Sequence, residues 1–249
     1  MKFIGIIPAR YASTRFPGKP LVDIGKKPMI QRVYEQASKA LNLIIVATDD
    51  ERIKQAVENF NGRVVMTSKH HKTGTDRCDE AIQIFRKDHF ENIDVVINIQ
   101  SDEPFIQPEQ LKQLMECFDN PSTQIATLIM EIKTSYDIFN PNLPKVAINL
   151  NHEAIYFSRS PIPFIQNEPK DRWVTSHTFF KHIGIYAYRT GILREIAQLQ
   201  PSSLEIAESL EQNRWIENGY TIKVKETNFK SFPVDTPEDL EKIKKLNLF

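Results

Sequence analysis

The chain has 249 residues, of which 41% are hydrophobic and 26% are charged, a composition typical of a globular protein with a sizeable core. Lysine plus arginine and aspartate plus glutamate number 32 each, a balance that argues against a duplex nucleic-acid binder. No apolar run approaches the ~18 residues that span a bilayer, no signal-peptide pattern opens the sequence, and the two cysteines cannot form a disulfide framework. We therefore expect a cytoplasmic protein with neither a nucleic-acid nor a membrane partner.

The first half of the chain alternates between apolar runs and amphipathic segments. The apolar runs predict strands at 2–8, 43–48, 63–66, 94–99 and 124–132. Helical periodicity predicts helices at 28–40, from a cap at Asp49 or Asp50 to a stop at Gly62, at 75–85 and at 108–118. This alternation predicts an α/β fold with a Rossmann-like, mostly parallel sheet flanked by helices.

The pattern changes near residue 135, where a smaller subdomain is predicted. Segments 146–150 and 154–158 predict a hairpin, 160–172 a long loop, and 182–189 and 221–226 two more strands. Ser202 and Glu205 have capping-box spacing and predict a helix that runs to Asn218. Thr236, followed by proline, predicts the start of a final helix that returns to the first sheet.

Three cations lie on the loop that follows the first strand. Arg10, Arg15 and Lys19 are interleaved with Ser13 and Gly18. Ligands bind parallel sheets at the carboxyl ends of the strands, glycine permits close backbone approach, and arginine can hold a phosphate through two hydrogen bonds. The loop therefore suits a polyphosphate, although it is neither a Walker A loop nor G-x-G-x-x-G, and a merely solvated loop is an equal alternative on this chemistry alone.

Two further segments place functional groups near strand and helix ends. Gly74-Thr75-Asp76-Arg77 opens a predicted helix, whose N–H groups can read a base edge or an anion, with helix capping by Thr75 as the alternative. Asp102 follows a buried strand, where a carboxylate costs free energy unless it is paired or binds a metal such as Mg²⁺. Asp235 is the natural second carboxylate, although its local sequence also fits a helix cap.

The stretch IPARYASTRFPGKPL resembles the nucleotide-binding loop of the CMP-sugar synthetases, which activate sugar acids with CTP. The resemblance is greatest to the 3-deoxy-manno-octulosonate (KDO) cytidylyltransferases. Further segments resemble that family in the same order and span nearly the whole chain: KPMIQRVYEQA, IIVATDDERI, VVMTS with GTDR, NIQSDEP, YFSRSPIP, KHIGIYAYR, SLEIAESLEQNRWIENG and VDTPEDL. The chain departs from the family at Ser101, where glycine is usual, and this substitution bears on metal placement.

The resemblance implies an Mg²⁺-dependent enzyme that converts CTP and KDO into CMP-KDO and pyrophosphate for lipopolysaccharide biosynthesis. It implies catalytic roles for Arg10, Lys19, Asp102 and Asp235, of which the two aspartates bind the metal. It implies nucleotide binding by Ala9, Arg10, Ser13, Arg15, Lys19, Gly74, Thr75, Arg77 and Gln100. It implies sugar binding by Arg159, His182, Tyr186, Glu211 and Gln212.

An arginine or a protonated histidine suits the sugar carboxylate, and glutamate, glutamine and tyrosine suit its hydroxyls. From the residues alone, His182 could equally be a core histidine, and Glu211 and Gln212 could be solvated helix positions. The family also implies a homodimer and one domain, 1–249, with a nucleotide-binding core at 1–132, a sugar-binding and dimerisation insertion at 133–228 and a return to the core at 229–249.

Three alternatives remain from the sequence. The acceptor could be a related sugar acid, such as 8-amino-KDO or sialic acid. The chain could be a sugar-1-phosphate nucleotidyltransferase, although that class usually has a glycine-richer first loop. It could also be a non-catalytic CTP-binding sensor, against which the joint presence of Arg10, Lys19, Asp102 and Asp235 argues.

Overall fold

A computed structural model describes residues 1–12, 16–90, 92–230 and 232–246, with the side chains of 244–246 outside the description. The strands are β1 Phe3–Ala9, β2 Ile44–Thr48, β3 Val64–Met66, β4 Val95–Asn98, β5 Ile125–Glu131, β6 Lys145–Ile148, β7 Ala154–Ser158, β8 Phe180–Arg189 and β9 Ile222–Glu226. The helices are α1 Met29–Ala37, α2 Glu51–Asn59, α3 Gly74–His89, α4 Pro108–Glu116, α5 Ser135–Phe139, α6 Trp173–Ser176, α7 Thr190–Ala197, α8 Ser203–Glu208, α9 Gln212–Glu217 and α10 Pro237–Leu246.

The chain divides into two compact units. Unit 1 comprises Met1–Lys112, Ala187–Ala197 and Phe229–Phe249, and unit 2 comprises Gln113–Tyr186 and Gln198–Asn228. Within the described residues, no helix is both long and apolar enough to cross a membrane.

Unit 1 is built on parallel strands in the order β3-β2-β1-β4. Gly5 of β1 lies opposite Ile44 of β2 and Ile97 of β4. All five residues of β2 are buried, as expected for a strand covered on both faces, and α1, α2 and α3 contact these strands. Because the strands are parallel, the loops that follow β1 and β4 open at the same edge of the sheet.

Side-chain caps fix where three helices of unit 1 begin. The Asp50 carboxylate accepts a hydrogen bond from the Arg52 N–H, which selects Asp50 of the two predicted caps of α2. The cap of α3 is Thr73, which forms a capping box with Asp76, so the alternative that placed the cap at Thr75 is wrong. Thr236 accepts from the Asp239 N–H at the start of α10, as predicted.

Unit 2 combines a parallel pair, β5 and β9, with the antiparallel hairpin β6–β7, and β6 also pairs with β8. The predicted hairpin is confirmed. The predicted helix from Ser202 to Asn218 is wrong in its length, because the chain breaks into α8 and α9 at Ser209, whose φ of 51° is left-handed. The capping box of Ser202 and Glu205 is confirmed, whereas α7 was not predicted. The predicted α/β class with a mostly parallel sheet flanked by helices is confirmed.

Gly5 tests how tightly β1 is packed. A Cβ at this position would lie 2.9 Å from a Leu41 methyl and 3.0 Å from an Ile99 methyl, whereas a Cβ at Gly184 of β8 would meet no atom within 4 Å. We expect Gly5→Ala to lower the free energy of unfolding by roughly 1–3 kcal/mol through overpacking. Gly184→Ala is the matched control and should be neutral or slightly stabilising. Urea unfolding measures both changes, and equal effects of the two substitutions would contradict the packing described for β1.

Candidate active site

A cavity of about 220 Å³ opens in unit 1 beside the ends of β1 and β4 and the start of α3. It is lined by Pro8, Ala9, Arg10, Lys19, Pro20, His71, Lys72, Thr73, Gly74, Arg77, Gln100, Ser101 and Asp102. The structure therefore brings together most of the residues predicted to bind the nucleotide. The predicted residues Ser13 and Arg15 lie outside the described part of the chain.

The ammonium of Lys19 joins two carboxylates from distant parts of the sequence. Its Nζ lies 2.6 Å from Asp102 Oδ2 and 3.1 Å from Asp235 Oδ1, and the lysine side chain is only 11% exposed. A backbone bond from the Val234 N–H to the Asp102 carbonyl, 2.9 Å long, fastens the two acidic segments together. Asp235 is thus held by Lys19, and the capping role considered for it belongs to Thr236.

Gly18 sets the direction in which the first loop reaches this cluster. Its φ of 72° is left-handed, and an added Cβ would lie 3.0 Å from the Tyr11 ring. Because glycine adopts this conformation without steric cost, the chain can turn directly into the 3₁₀ turn Lys19–Leu21. The single glycine of the loop therefore places the ammonium.

The carboxylates of Asp102 and Asp235 fit a hard divalent cation. Their oxygens converge on one position, which the Lys19 ammonium occupies. Within the described ranges, no group of three or more His, Cys, Asp or Glu side chains forms a metal cluster. Mg²⁺ commonly takes one or two protein carboxylates and completes its shell with waters and phosphate oxygens, so two converging aspartates suffice.

Ser101 lines the same cavity without distorting the backbone. It is not among the residues with positive φ, so the serine retains an ordinary conformation at the position where the family usually has glycine. The departure therefore leaves the neighbouring Asp102 free to reach Lys19.

The start of α3 forms another wall of the cavity. Gly74 lines it, and a Cβ there would lie 3.3 Å from the Pro8 ring, so a small residue suits this approach of α3 to β1. Thr75 is 1% exposed and does not line the cavity. The Arg77 guanidinium reaches the wall but donates to Thr67 Oγ1 at 2.6 Å and to Asp49 Oδ2 at 3.0 Å.

His71 and Lys72 are the two ionisable lining residues that were not predicted from the sequence. His71 Nε2 lies 2.5 Å from a Glu80 oxygen that also accepts from the Ser68 N–H at 2.7 Å. Burial raises the pKa of the Glu80 carboxyl, but these two hydrogen bonds together with the charges of His71 and Arg77 outweigh that effect and leave the pKa below its usual value. The one sequence signal for a role of His71 and Lys72 was their position just before the GTDR segment.

The predicted sugar-binding residues lie in unit 2. The His182 and Tyr186 rings are 5.1 Å apart, and Tyr186 packs edge-on against Trp215 at 5.0 Å. Gln212 is 5% exposed, and its amide nitrogen has no hydrogen-bond partner among the described residues. Such a buried donor is available to a ligand. The Glu211 carboxylate lies 3.8 Å from the Arg214 guanidinium.

His182 is neutral rather than protonated. The Thr127 hydroxyl lies 2.9 Å from His182 Nε2 and donates to the Ile185 carbonyl at 2.7 Å. With the hydroxyl proton directed at the Ile185 carbonyl, the tautomer that carries its hydrogen on Nε2 donates to Thr127 and leaves Nδ1 as an acceptor. Burial lowers the pKa of His182 to about 3. The expectation that a protonated His182 meets a carboxylate is therefore wrong, whereas a hydrogen bond from a hydroxyl to Nδ1 is chemically suitable.

The depressed pKa of His182 predicts a pH-dependent stability. The folded-state pKa is about 3 against an ordinary value of 6.5, so the unfolded chain binds the proton more readily between these values. The neutral imidazole's contribution to the free energy of unfolding is fully present above pH 6.5. It is lost as the pH falls towards 3, by up to ~1.4 kcal/mol per pH unit.

Urea unfolding at about pH 7.5 and about pH 5 measures this loss. His182→Gln, which cannot titrate, should lose less stability than the wild-type protein between the two conditions. Equal losses would contradict a neutral, desolvated His182.

The chain is similar to known proteins over nearly its whole length. Residues 4–225 match the cytidylyltransferase family model. The chain is 58% identical over 246 residues to the 3-deoxy-manno-octulosonate cytidylyltransferase of Parabacteroides distasonis, covering 97% of this chain and 96% of that protein. It is 57% identical over 243 residues to the protein of the same name from Phocaeicola vulgatus, covering 96% and 95%. A solved structure of CMP:2-keto-3-deoxy-manno-octonic acid synthetase complexed with CTP aligns with a TM-score of 0.89 and 42% identity, over 99% of this chain and 98% of that one.

Proposed function

This chain belongs to the cytidylyltransferase family, and we propose that it transfers CMP from CTP to KDO with release of pyrophosphate. The observation that carries the proposal is the contact of Lys19 with Asp102 and Asp235 beside a cavity lined by the first loop. The names and near-complete overlap of the similar proteins support CTP as the nucleotide and KDO as the acceptor.

The reaction is an in-line displacement at phosphorus. The anomeric hydroxyl of KDO attacks the α-phosphorus of CTP, the bond from that phosphorus to the bridging oxygen breaks, pyrophosphate leaves, and the hydroxyl proton is released to solvent. Such a transfer needs alignment and charge neutralisation more than covalent help from the protein. Arg10 and Lys19 line the cavity and would bind the triphosphate, and Arg15 is proposed to assist them.

Around the nucleotide, Ala9, Gly74 and Gln100 line the same cavity and would contact CTP through backbone and amide groups. Arg77 would contact the nucleotide from the cavity wall, where hydrogen bonds to Asp49 and Thr67 hold its guanidinium in place. Ser13 and Thr75 keep their proposed nucleotide roles on the resemblance of their segments alone.

Asp102 and Asp235 would hold a magnesium ion with their oxygens. When bound, the ion supplies charge neutralisation at the phosphate under attack. The chain's own contribution is preorganisation, because the Lys19 ammonium offsets the repulsion between the two carboxylates and so keeps them close together before a cation binds.

Arg159, Glu211 and Gln212, with Tyr186 and His182, are proposed to bind the sugar acid. The unpartnered Gln212 amide and the acceptor at His182 Nδ1 support hydrogen bonds to its hydroxyls. Arginine suits the carboxylate of the sugar acid because its planar guanidinium can bind both oxygens.

We further infer a cytoplasmic homodimer whose product serves lipopolysaccharide assembly. An apolar cavity in unit 2 supports a subunit contact there, together with exposed Phe164 and Ile155. The residues that line this cavity include Ile162, Pro163, Phe179 and Phe180.

Pyrophosphate release tests the proposed function. The enzyme is assayed with CTP and Mg²⁺ against KDO, 8-amino-KDO, sialic acid and glucose-1-phosphate, with and without EDTA. We expect pyrophosphate release with KDO that disappears on chelation. Two carboxylates and a triphosphate repel each other, and a divalent cation between them neutralises that repulsion. Release with another acceptor alone would overturn the sugar assignment. CTP binding without release for any acceptor would indicate a sensor and contradict the enzyme.

A further inference from the structure

The carboxylate of Glu208, the last residue of α8, binds the end of β7 through three hydrogen bonds. Oε1 accepts from the Ser158 hydroxyl at 2.6 Å and from the Tyr156 hydroxyl at 3.2 Å, and Oε2 accepts from the Arg159 N–H at 2.9 Å. Burial raises the pKa of Glu208, but these hydrogen bonds and the Arg159 charge outweigh it and keep the pKa below its usual value. Glu208 is therefore ionised and fully engaged near neutral pH.

Arg159 is held on its other sides as well. Its guanidinium donates to the carbonyls of Glu208 at 2.7 Å, Pro141 at 3.0 Å and Ser209 at 3.4 Å. Its own carbonyl accepts from the ammonium of Lys145 at 2.5 Å. The backbone N–H, the backbone carbonyl and the side chain of Arg159 thus all have partners.

Lys145 strengthens this arrangement from inside unit 2. It is fully buried, and its Nζ also donates to the Asn140 carbonyl at 2.9 Å. Burial lowers the pKa of Lys145 to about 8, while the charge of Glu208 partly opposes that effect. Glu208 and Lys145 therefore fix the two sides of the Arg159 backbone with opposite charges.

The same contacts fix the break between α8 and α9. Ser209, whose backbone is left-handed, follows Glu208 directly, and Glu211 and Gln212 follow after Leu210, at the start of α9. On the other side of the break, the Asn213 amide exchanges hydrogen bonds of 2.9 and 3.3 Å with the backbone of Phe157. The end of β7 is consequently tied to both helices, immediately before and after the break.

We propose that Glu208 is a positioning residue for the acceptor. Its carboxylate holds Arg159, which follows β7, against the break between α8 and α9, close in sequence to Glu211 and Gln212. This inference rests on the proposed function, in which these side chains bind the sugar acid. Glu208 acts through Arg159, because three protein donors engage its carboxylate. Its carboxylate matches the three donors that converge on it, and no neutral side chain offers as many acceptor sites.

The test compares steady-state KM and kcat for KDO and CTP in the full-length protein. Glu208→Ala removes every acceptor at the position, and Glu208→Gln removes the charge but keeps the shape. Because a displacement of about 1 Å in a ligand-binding group can cost about 100-fold, we expect the KM for KDO to rise between about 10-fold and about 100-fold in Glu208→Ala. We expect a smaller rise in Glu208→Gln and a KM for CTP within about 2-fold of wild type in both. If Glu208→Ala fails to fold, Glu208→Gln decides.

Glu217→Gln is the matched control. The Glu217 carboxylate also fastens α8, through the Ser203 hydroxyl at 3.1 Å and the Leu204 N–H at 2.9 Å, but none of its hydrogen bonds reaches Arg159. Glu217→Gln should leave the KM for KDO unchanged. The comparison then distinguishes an effect of weakening the contacts of α8 from an effect of moving Arg159.

Four outcomes would overturn the inference. An unchanged KM for KDO in both Glu208 variants, with an active wild-type enzyme, removes Glu208 from acceptor positioning. Equal rises in the KM for KDO and for CTP, or an equal rise in Glu217→Gln, show a merely structural role. A wild-type enzyme that releases no pyrophosphate with KDO overturns the proposed function and this inference together.

Discussion

The centre of unit 1 depends on one ammonium that balances two carboxylates. Asp102 and Asp235 approach the same point, where their like charges would repel each other without Lys19 between them. The three groups come from separate segments, so the contact holds the first loop, the end of β4 and the start of α10 in one arrangement. Removing either aspartate leaves one carboxylate to balance the ammonium, whereas removing Lys19 leaves two carboxylates with no cation between them. The carboxylate pair is therefore held in place before a nucleotide arrives.

Most of the fold could be predicted because its signals are local and periodic. The buried runs of β1 and β2, the capping box of Ser202 and Glu205 and the Thr236 cap all agree with the structure. The break at Ser209 could not be predicted, because a left-handed serine has neither the glycine nor the proline that usually marks a helix end. The division into 1–132, 133–228 and 229–249 stays a prediction.

The candidate site was predicted less completely than the fold. Tertiary contacts, which residue types alone do not specify, decide which side chains can reach and bind a ligand. The sequence indicated that Arg10, Lys19 and Asp102 share a site, and the structure places all three at one cavity. It could not indicate the protonation of His182, which follows from burial and from a hydroxyl supplied by β5. The resemblance to KDO cytidylyltransferases is confirmed by near-complete overlap with proteins of that name. Ser13 and Arg15 keep their predicted roles, outside the described residues.

The most direct test of the central claim is a Mn²⁺ titration of the enzyme with CTP but no sugar, followed by electron paramagnetic resonance. Mn²⁺ substitutes for Mg²⁺ at oxygen ligands and reports enzyme-bound metal without turnover. The account predicts that Asp102→Asn weakens Mn²⁺ binding to the enzyme–CTP complex by about 10-fold or more. Asp23→Asn, which changes an exposed aspartate outside the cavity, should bind Mn²⁺ as the wild-type enzyme does. Equal affinity in Asp102→Asn and wild type would contradict the proposed metal centre.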